Sequence, residues 1–229
     1  LAALKMNHKK ISVACVNPHS QIMAESDPFF KSSLERFDFL LPDGIGTVLA
    51  SRLLGGHVRT RITGPDFFNL LSTALNTTDN TYSYYFMGST PEVLNSIRDN
   101  MASRYPNIPV AGTFSPPLGE FSDFDNDCLI TQINKAQPSI LWVGLTAPKQ
   151  EKWIISHLPR LDVQLAAAIG AEFDYFAGTK QRPPSWMRKA GLQWLHRFAI
   201  EPRRTWRRHL ISMPLFLIHV LRCRARKEQ

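Results

Sequence analysis

The chain has 229 residues, 44% of them hydrophobic, and a formal net charge of +8. That length supports one sizeable core with a small appendage. Three scattered cysteines (Cys15, Cys128, Cys223) form no CxxC pair, so neither a disulfide framework nor a cysteine zinc site is expected, and a reducing compartment fits.

In chain order, LAALKMNHKK lacks the apolar core of a signal peptide. Apolar runs of strand length then recur: ISVACV (11–16), FDFLL (37–41), YSYYFMG (82–88), IPVAGTF (108–114), SILWVGL (139–145) and VQLAAAIG (163–170). Most are rich in aromatic and β-branched residues, as strands buried on both faces require. Helical patterns fall near 21–34, 45–54, 66–76, 91–103, 124–136 and 149–158. This alternation predicts an α/β fold with a mostly parallel sheet and helices on both faces. No internal repeat and no low-complexity linker interrupts it.

The pattern changes after FDYFAGTKQRPPSW, where Pro183 and Pro184 stop any strand. We expect a core over 1–182 and a basic helical appendage over 183–229. Residues 186–200 read as one amphipathic helix with Trp194, Leu195 and Phe198 turned inward, and Pro202 suits the first turn of the next. LISMPLFLIHVL (210–221) is too short to cross a bilayer, which needs about 20 apolar residues. Flanked by arginines, it fits a helix lying in a membrane interface, or one packed on its own domain. From Lys180 onward thirteen Lys and Arg face two Glu, a net of +11, while the first 179 residues carry 14 basic and 17 acidic groups. The asymmetry points to an anionic partner for the tail: nucleic acid, a membrane surface or a phosphorylated ligand.

Open α/β sheets hold ligands at the carboxyl ends of their strands. Polar and glycine residues collect at those ends here: Asn17, Asp43, Gly88-Ser89-Thr90, Thr113, Gly144 with the TAPKQE run containing Lys149 and Gln150, and Gly170 to Asp174. Asp43 sits in LLPDGIGTVL, which is either ordinary Pro-Asp-Gly turn chemistry or a carboxylate held in place. GSTPEVL (88–94) offers a glycine, a cap and a first-turn proline, suited to an anion or simply to a capped helix. The third glycine of a dinucleotide fingerprint is absent from DGIGTVL. Asp123-Phe-Asp125 has DxD spacing but opens a helix instead of following an apolar strand, so no metal site is expected.

Taken together, LLPDGIGTVLASRLLG, RITGPDFF, YYFMGSTPEVL, GTFSPP, LWVGLTAPKQEKWI, GAEFDYFAGTKQRPPSWM and GLQWLHRFAIEPRRTWRRHL resemble the WecG/TagA/CpsF family of bacterial glycosyltransferases. The resemblance covers roughly 11–210. It implies a Rossmann-like core, no cofactor and no required metal. It further implies inverting transfer from a UDP-sugar donor to a polyprenyl-diphosphate-linked acceptor, on the cytoplasmic face of the inner membrane. By motif, Asp43 falls on the family's base, and Asn17 touches sugar or acceptor. Cys15 stands where the family usually has Thr. Arg61 orients a hydroxyl or phosphate oxygen, Gln150 binds the donor sugar and Asp174 the uridine. Gly88, Ser89, Gly144 and Lys149 line the nucleotide side. Arg197, Arg204 and Arg207 would share one face of a near-continuous helix and neutralise the departing diphosphate, with Arg203 and Arg208 turned toward lipid headgroups.

This reading takes an anionic membrane surface, not nucleic acid, as the tail's partner, and it admits a homo-oligomer. Two alternatives from other classes stay open on residues alone: a nucleotide-dependent oxidoreductase, and a non-enzymatic polyanion-binding module.

Overall fold

A computed structural model describes residues 9–79, 81–117, 122–170 and 172–227, apart from the side chains of Asp123, Phe124, Lys189, Arg204 and His209. Six strands form one sheet: β1 (Ile11–Val16), β2 (Phe39–Pro42), β3 (Tyr84–Gly88), β4 (Val110–Phe114), β5 (Ile140–Gly144) and β6 (Leu165–Ala168). Their order is β2-β1-β6-β5-β3-β4. Ile11, Leu165, Ile140, Tyr84 and Val110 stand in one row across five parallel strands. All six expected strands are present: β1 with the expected bounds, β2 shifted to 39–42, and the other four trimmed at their ends.

The chain forms two compact units. The larger comprises residues 1–14, 33–40 and 64–180. Its helices include α4 (Gly64–Asn76), α5 (Pro91–Arg104), α6 (Asp123–Ala136), α7 (Lys149–His157) and α8 (Glu172–Ala177). Strand alternation sends Tyr84, Phe86 and Trp142 to one side of the sheet. There Phe68 of α4 lies edge-on to Trp142, with centroids 5.0 Å apart, and 4.8 Å from Phe176. The opposite side gathers Tyr85, Met87, Leu141 and Val143 with Leu129, Ile133 and Ile154. Burying a ring such as Phe68 contributes about 1.5–3 kcal/mol, and each aromatic edge contact about 0.5–1.5 kcal/mol beyond it.

The smaller unit comprises residues 15–32, 41–63 and 181–229. It holds α1 (Pro18–Ser26), α3 (Ile45–Leu53), α9 (Ser185–Lys189), α10 (Gln193–Ile200), α11 (Pro202–Trp206), a π-helical turn over Arg207–Ser212, and α12 (Met213–Lys227). Phe216 and Val220, one helical turn apart, pack on Ala50 with Ile22, Leu54 and Met213 around them. The inner stripe of α12 is therefore docked on its own unit. The outer face leaves Leu215, Leu217, Ile218 and Leu221 exposed.

Two sequence expectations need correction. The single helix over 21–34 is two, α1 and α2 (Pro28–Glu35), because proline forces the preceding Asp27 into extended backbone. Asp27 then caps the second helix by accepting from the Phe30 N–H at 2.9 Å. The helix expected over 186–200 also breaks, at Gly191, which takes a left-handed φ of 75°. Trp194 and Leu195 consequently stand 41% and 42% exposed instead of facing inward.

Candidate functional site

In the smaller unit the Pro-Asp-Gly turn is fixed by its backbone. The Asp43 N–H donates to the Val16 carbonyl at 2.8 Å, and Ile62 N–H donates to the Pro42 carbonyl at 2.9 Å. Gly44 then takes φ 98°, which an L side chain rarely adopts, and stands as N-cap of α3. The carboxyl group of Asp43 is thus presented from a turn with little freedom of its own.

Asn17 contributes through its cap. Its Oδ1 accepts from the Ser20 N–H at 3.1 Å, within a capping box that starts α1. With Oδ1 committed, the amide N–H₂ is the end available to Asp43, and Asn17 hydrogen-bonds that carboxyl. Burial raises the Asp43 pKa above the usual carboxylate value. The guanidinium of Arg197 opposes that rise most, followed by Arg208, the Asn17 hydrogen bond and Arg61. Arg61 is itself held, donating from Nη2 to the Arg188 carbonyl at 2.6 Å. Three guanidinium groups therefore face one acid, and the surplus positive charge suits an added anion.

In the larger unit the ends of β3, β5 and β6 carry the other candidates. Gly88 has φ 127°, and a Cβ there would lie 2.6 Å from the carbonyl carbon and oxygen of Gly144. Only glycine lets these two strand ends approach so closely. Ser89 follows with φ 59°, and its carbonyl accepts from Ser115 Oγ at 2.8 Å. Thr90 caps α5 through the Val93 N–H, with Pro91 in the first turn, as expected. Lys149 is exposed at the start of α7, while Gln150 and Glu151 behind it are buried. Gln150 Nε2 donates to Glu151 Oε1 at 2.8 Å. Burial pushes the Glu151 pKa up to about 7. Asp174, in the first turn of α8, pairs with Lys180 at 3.3 Å.

The DxD pair does another job. Asp125 accepts from Ser122 N–H and Oγ in a capping box at the start of α6. Among the described residues no group of three or more His, Cys, Asp or Glu could hold a metal ion.

The chain matches the model of the glycosyl transferase WecG/TagA/CpsF family over residues 1–229. It belongs to this family. Similar proteins include the N-acetylglucosaminyldiphosphoundecaprenol N-acetyl-beta-D-mannosaminyltransferase of Bacillus subtilis (strain 168), 32% identical over 92% of this chain and 78% of that one. The Bacillus spizizenii protein of the same name is 30% identical over 94% and 80%. That of Staphylococcus aureus (strain NCTC 8325 / PS 47) is 27% identical over 93% and 80%. Membership makes this chain a glycosyltransferase, so the oxidoreductase and polyanion-binding alternatives fall away.

Within this WecG/TagA/CpsF chain, the structure gathers Asn17, Asp43, Arg61 and Arg197 in the smaller unit. Gly88, Ser89, Gly144, Lys149, Gln150 and Asp174 lie at strand ends and helix starts of the larger one. The shared arginine face is corrected. Arg197 lies in the last turn of α10, which Glu201 caps, and Arg207 lies on another segment, exposed and 5.4 Å over the Trp206 ring. The Arg204 side chain lies outside the described residues. Arg208, expected to face lipid, instead acts on Asp43. Glu151 was not singled out, although a signal existed. It stands three and four residues before Ile154 and Ile155, on the apolar face of its helix.

Proposed function

We propose that this glycosyltransferase moves an N-acetylmannosamine-type or glucose-type sugar, with inversion, from a UDP-sugar to a polyprenyl-diphosphate-linked saccharide. The observation that carries the reading is the half-buried Asp43 carboxyl, hydrogen-bonded by Asn17 and faced by three guanidinium groups. Inverting displacement needs one carboxylate. Asp43 takes the acceptor hydroxyl proton as that oxygen attacks the anomeric carbon, and the bond from that carbon to the UDP phosphate oxygen breaks. A raised pKa makes Asp43 a stronger base than a solvent-exposed aspartate. Arg197 and Arg208, with Arg204 and Arg207 as further candidates, neutralise the departing diphosphate. Gln150 and Asp174 are assigned to the donor's sugar and uridine. Relatives named for transfer to N-acetylglucosaminyldiphosphoundecaprenol support an acceptor of that chemistry.

Residues 183–229 act in this reading as a membrane-associating appendage. No helix among the described residues is long and apolar enough to cross a membrane. The exposed Leu210, Ile211, Leu215, Leu217, Ile218 and Leu221, followed by Arg222, Arg224, Arg226 and Lys227, suit a peripheral helix on the inner leaflet. The test is a panel of UDP-sugars with a short-chain lipid-diphosphate acceptor, run on wild type and Asp43→Asn. Turnover should fall by roughly 10²–10⁴ in the variant while UDP binding holds. Full activity in folded Asp43→Asn would remove the base from this assignment.

A further inference from the structure

The tail reaches Asp43 by an interrupted path. A π-helical turn over Arg207–Ser212 stands between α11 and α12, and Arg208, inside that turn, is one of the guanidinium groups facing the acid. A π turn holds one residue more than the α geometry on either side of it. Its collapse to α geometry would rotate the segment before it by about 100°, enough to carry Arg208 off the acid. The place of Arg208 thus depends on what holds the turn.

Two contacts hold its far end, and both come from the segments that carry Asp43 and its partner Asn17. His19 Nδ1 and Ser212 Oγ are hydrogen-bonded at 2.8 Å, and Ser212 is 5% exposed. Beside it, Met213 reaches the start of α3: a Cβ on Gly46 would stand 2.8 Å from Pro18 Cγ and 3.6 Å from Met213 Cε. Pro18 and His19 directly follow Asn17, which hydrogen-bonds Asp43, and Gly46 lies three residues after the acid. Further along α1, Ile22 packs against Phe216 and Val220 of α12. Arg208 and Ser212 are about one helical turn apart, so they leave the same side of the segment. The bond also tolerates either charge state of the ring. A neutral Nδ1 can accept from the serine hydroxyl, and a protonated one donates to the serine oxygen.

We propose that His19 is a positioning residue for the transfer: its bond to Ser212 holds the π-helical turn in the register that keeps Arg208 opposite Asp43. The proposal rests on the reading of Asp43 as the base. His19 acts through Ser212 and Arg208, and touches neither the reacting carbon nor the leaving group.

The test is the pH profile of kcat/KM with the most active donor of the UDP-sugar panel and the short-chain lipid-diphosphate acceptor. His19→Leu and Ser212→Ala should each lower kcat by about tenfold or more. Both should move the acidic limb to higher pH, because Asp43 loses a neighbouring positive charge and holds its proton more tightly. Ser212 is buried, so its variant probes the latch without a direct contact to substrate. His19→Asn, whose amide can bond the serine hydroxyl from nearly the same place, should restore rate and limb. Added to Arg208→Gln, His19→Leu should cost less than about twofold more, since the two changes act on one group. Should His19→Leu fail to fold, Ser212→Ala carries both the profile and the combination with Arg208→Gln. An unmoved rate and limb in folded Ser212→Ala overturns the proposal. So does His19→Asn as impaired as His19→Leu, or losses that multiply in full with Arg208→Gln. Any of these beside an inactive Asp43→Asn leaves the transfer reading standing. A fully active Asp43→Asn, or a wild type inactive with the whole panel, overturns both.

Discussion

Glu151 should leave a distinct mark on the pH dependence of folding. In the folded chain its carboxyl is buried and holds its proton up to about pH 7, against 4.5 for the ordinary side chain. Between those two values the folded state binds more protons than the unfolded state, so stability falls as pH rises. The contribution is fully present below 4.5 and lost by the time pH has passed about 7. At about 1.4 kcal/mol for each tenfold change in proton affinity, the gap corresponds to about 3 kcal/mol. Glu151→Gln keeps the shape and the acceptor for Gln150 Nε2 but cannot ionise. Urea unfolding of both proteins from pH 4.5 to 8 isolates the effect, because every other titrating group is shared. The stability of the variant relative to wild type should climb by about 3 kcal/mol across that range and level off above it. A difference that stays flat with pH would mean that Glu151 titrates like a solvated carboxylate, and would refute the burial argument.

Arg197→Gln removes the strongest charge opposing the raised Asp43 pKa. The acidic limb of its kcat/KM profile should therefore move to higher pH, and an unmoved limb would separate Arg197 from the base. Phe216→Ala should cost about 3–5 kcal/mol in urea unfolding, because the ring is 3% exposed against Ala50 and Val220. Leu217→Asp, at a position 51% exposed, should leave folding within about 0.5 kcal/mol yet weaken co-sedimentation with anionic vesicles. Unchanged vesicle binding would take the outer face of α12 out of the membrane interface.

The sheet was legible because buried parallel strands need continuous apolar runs, and YSYYFMG and SILWVGL satisfy that requirement without ambiguity. Helix boundaries were legible where a cap or proline spoke clearly, as at Thr90-Pro91 and Ser122. They failed where one residue had to decide between continuing and stopping. Gly191 could have been a tolerated helical glycine; instead it takes a left-handed backbone and packs so close that a Cβ would meet Ile45 at 3.3 Å. Pro28 is the opposite case: an apolar pattern runs through it, yet the proline ends the helix before it.

The break at Gly191 and the π-helical turn at 207–212 together explain why the arginines could be found but not assigned. Helical periodicity assumes an unbroken screw, and each interruption rotates everything downstream by an amount the sequence does not state. Arg207 and Arg208 are neighbours within that π-helical turn and so leave it in different directions. That difference sends one over its neighbour Trp206 and the other toward Asp43. Asp43 escapes the problem, because its place depends on no helix register: proline before it, glycine after it, and backbone bonds that tie the turn to Val16 and Ile62. An acid positioned by such a turn keeps its orientation when distant helices shift, whereas the arginines around it follow their helices. Reorientation of the tail segments would change the charge on the site, and with it the Asp43 pKa, while leaving the base where it is.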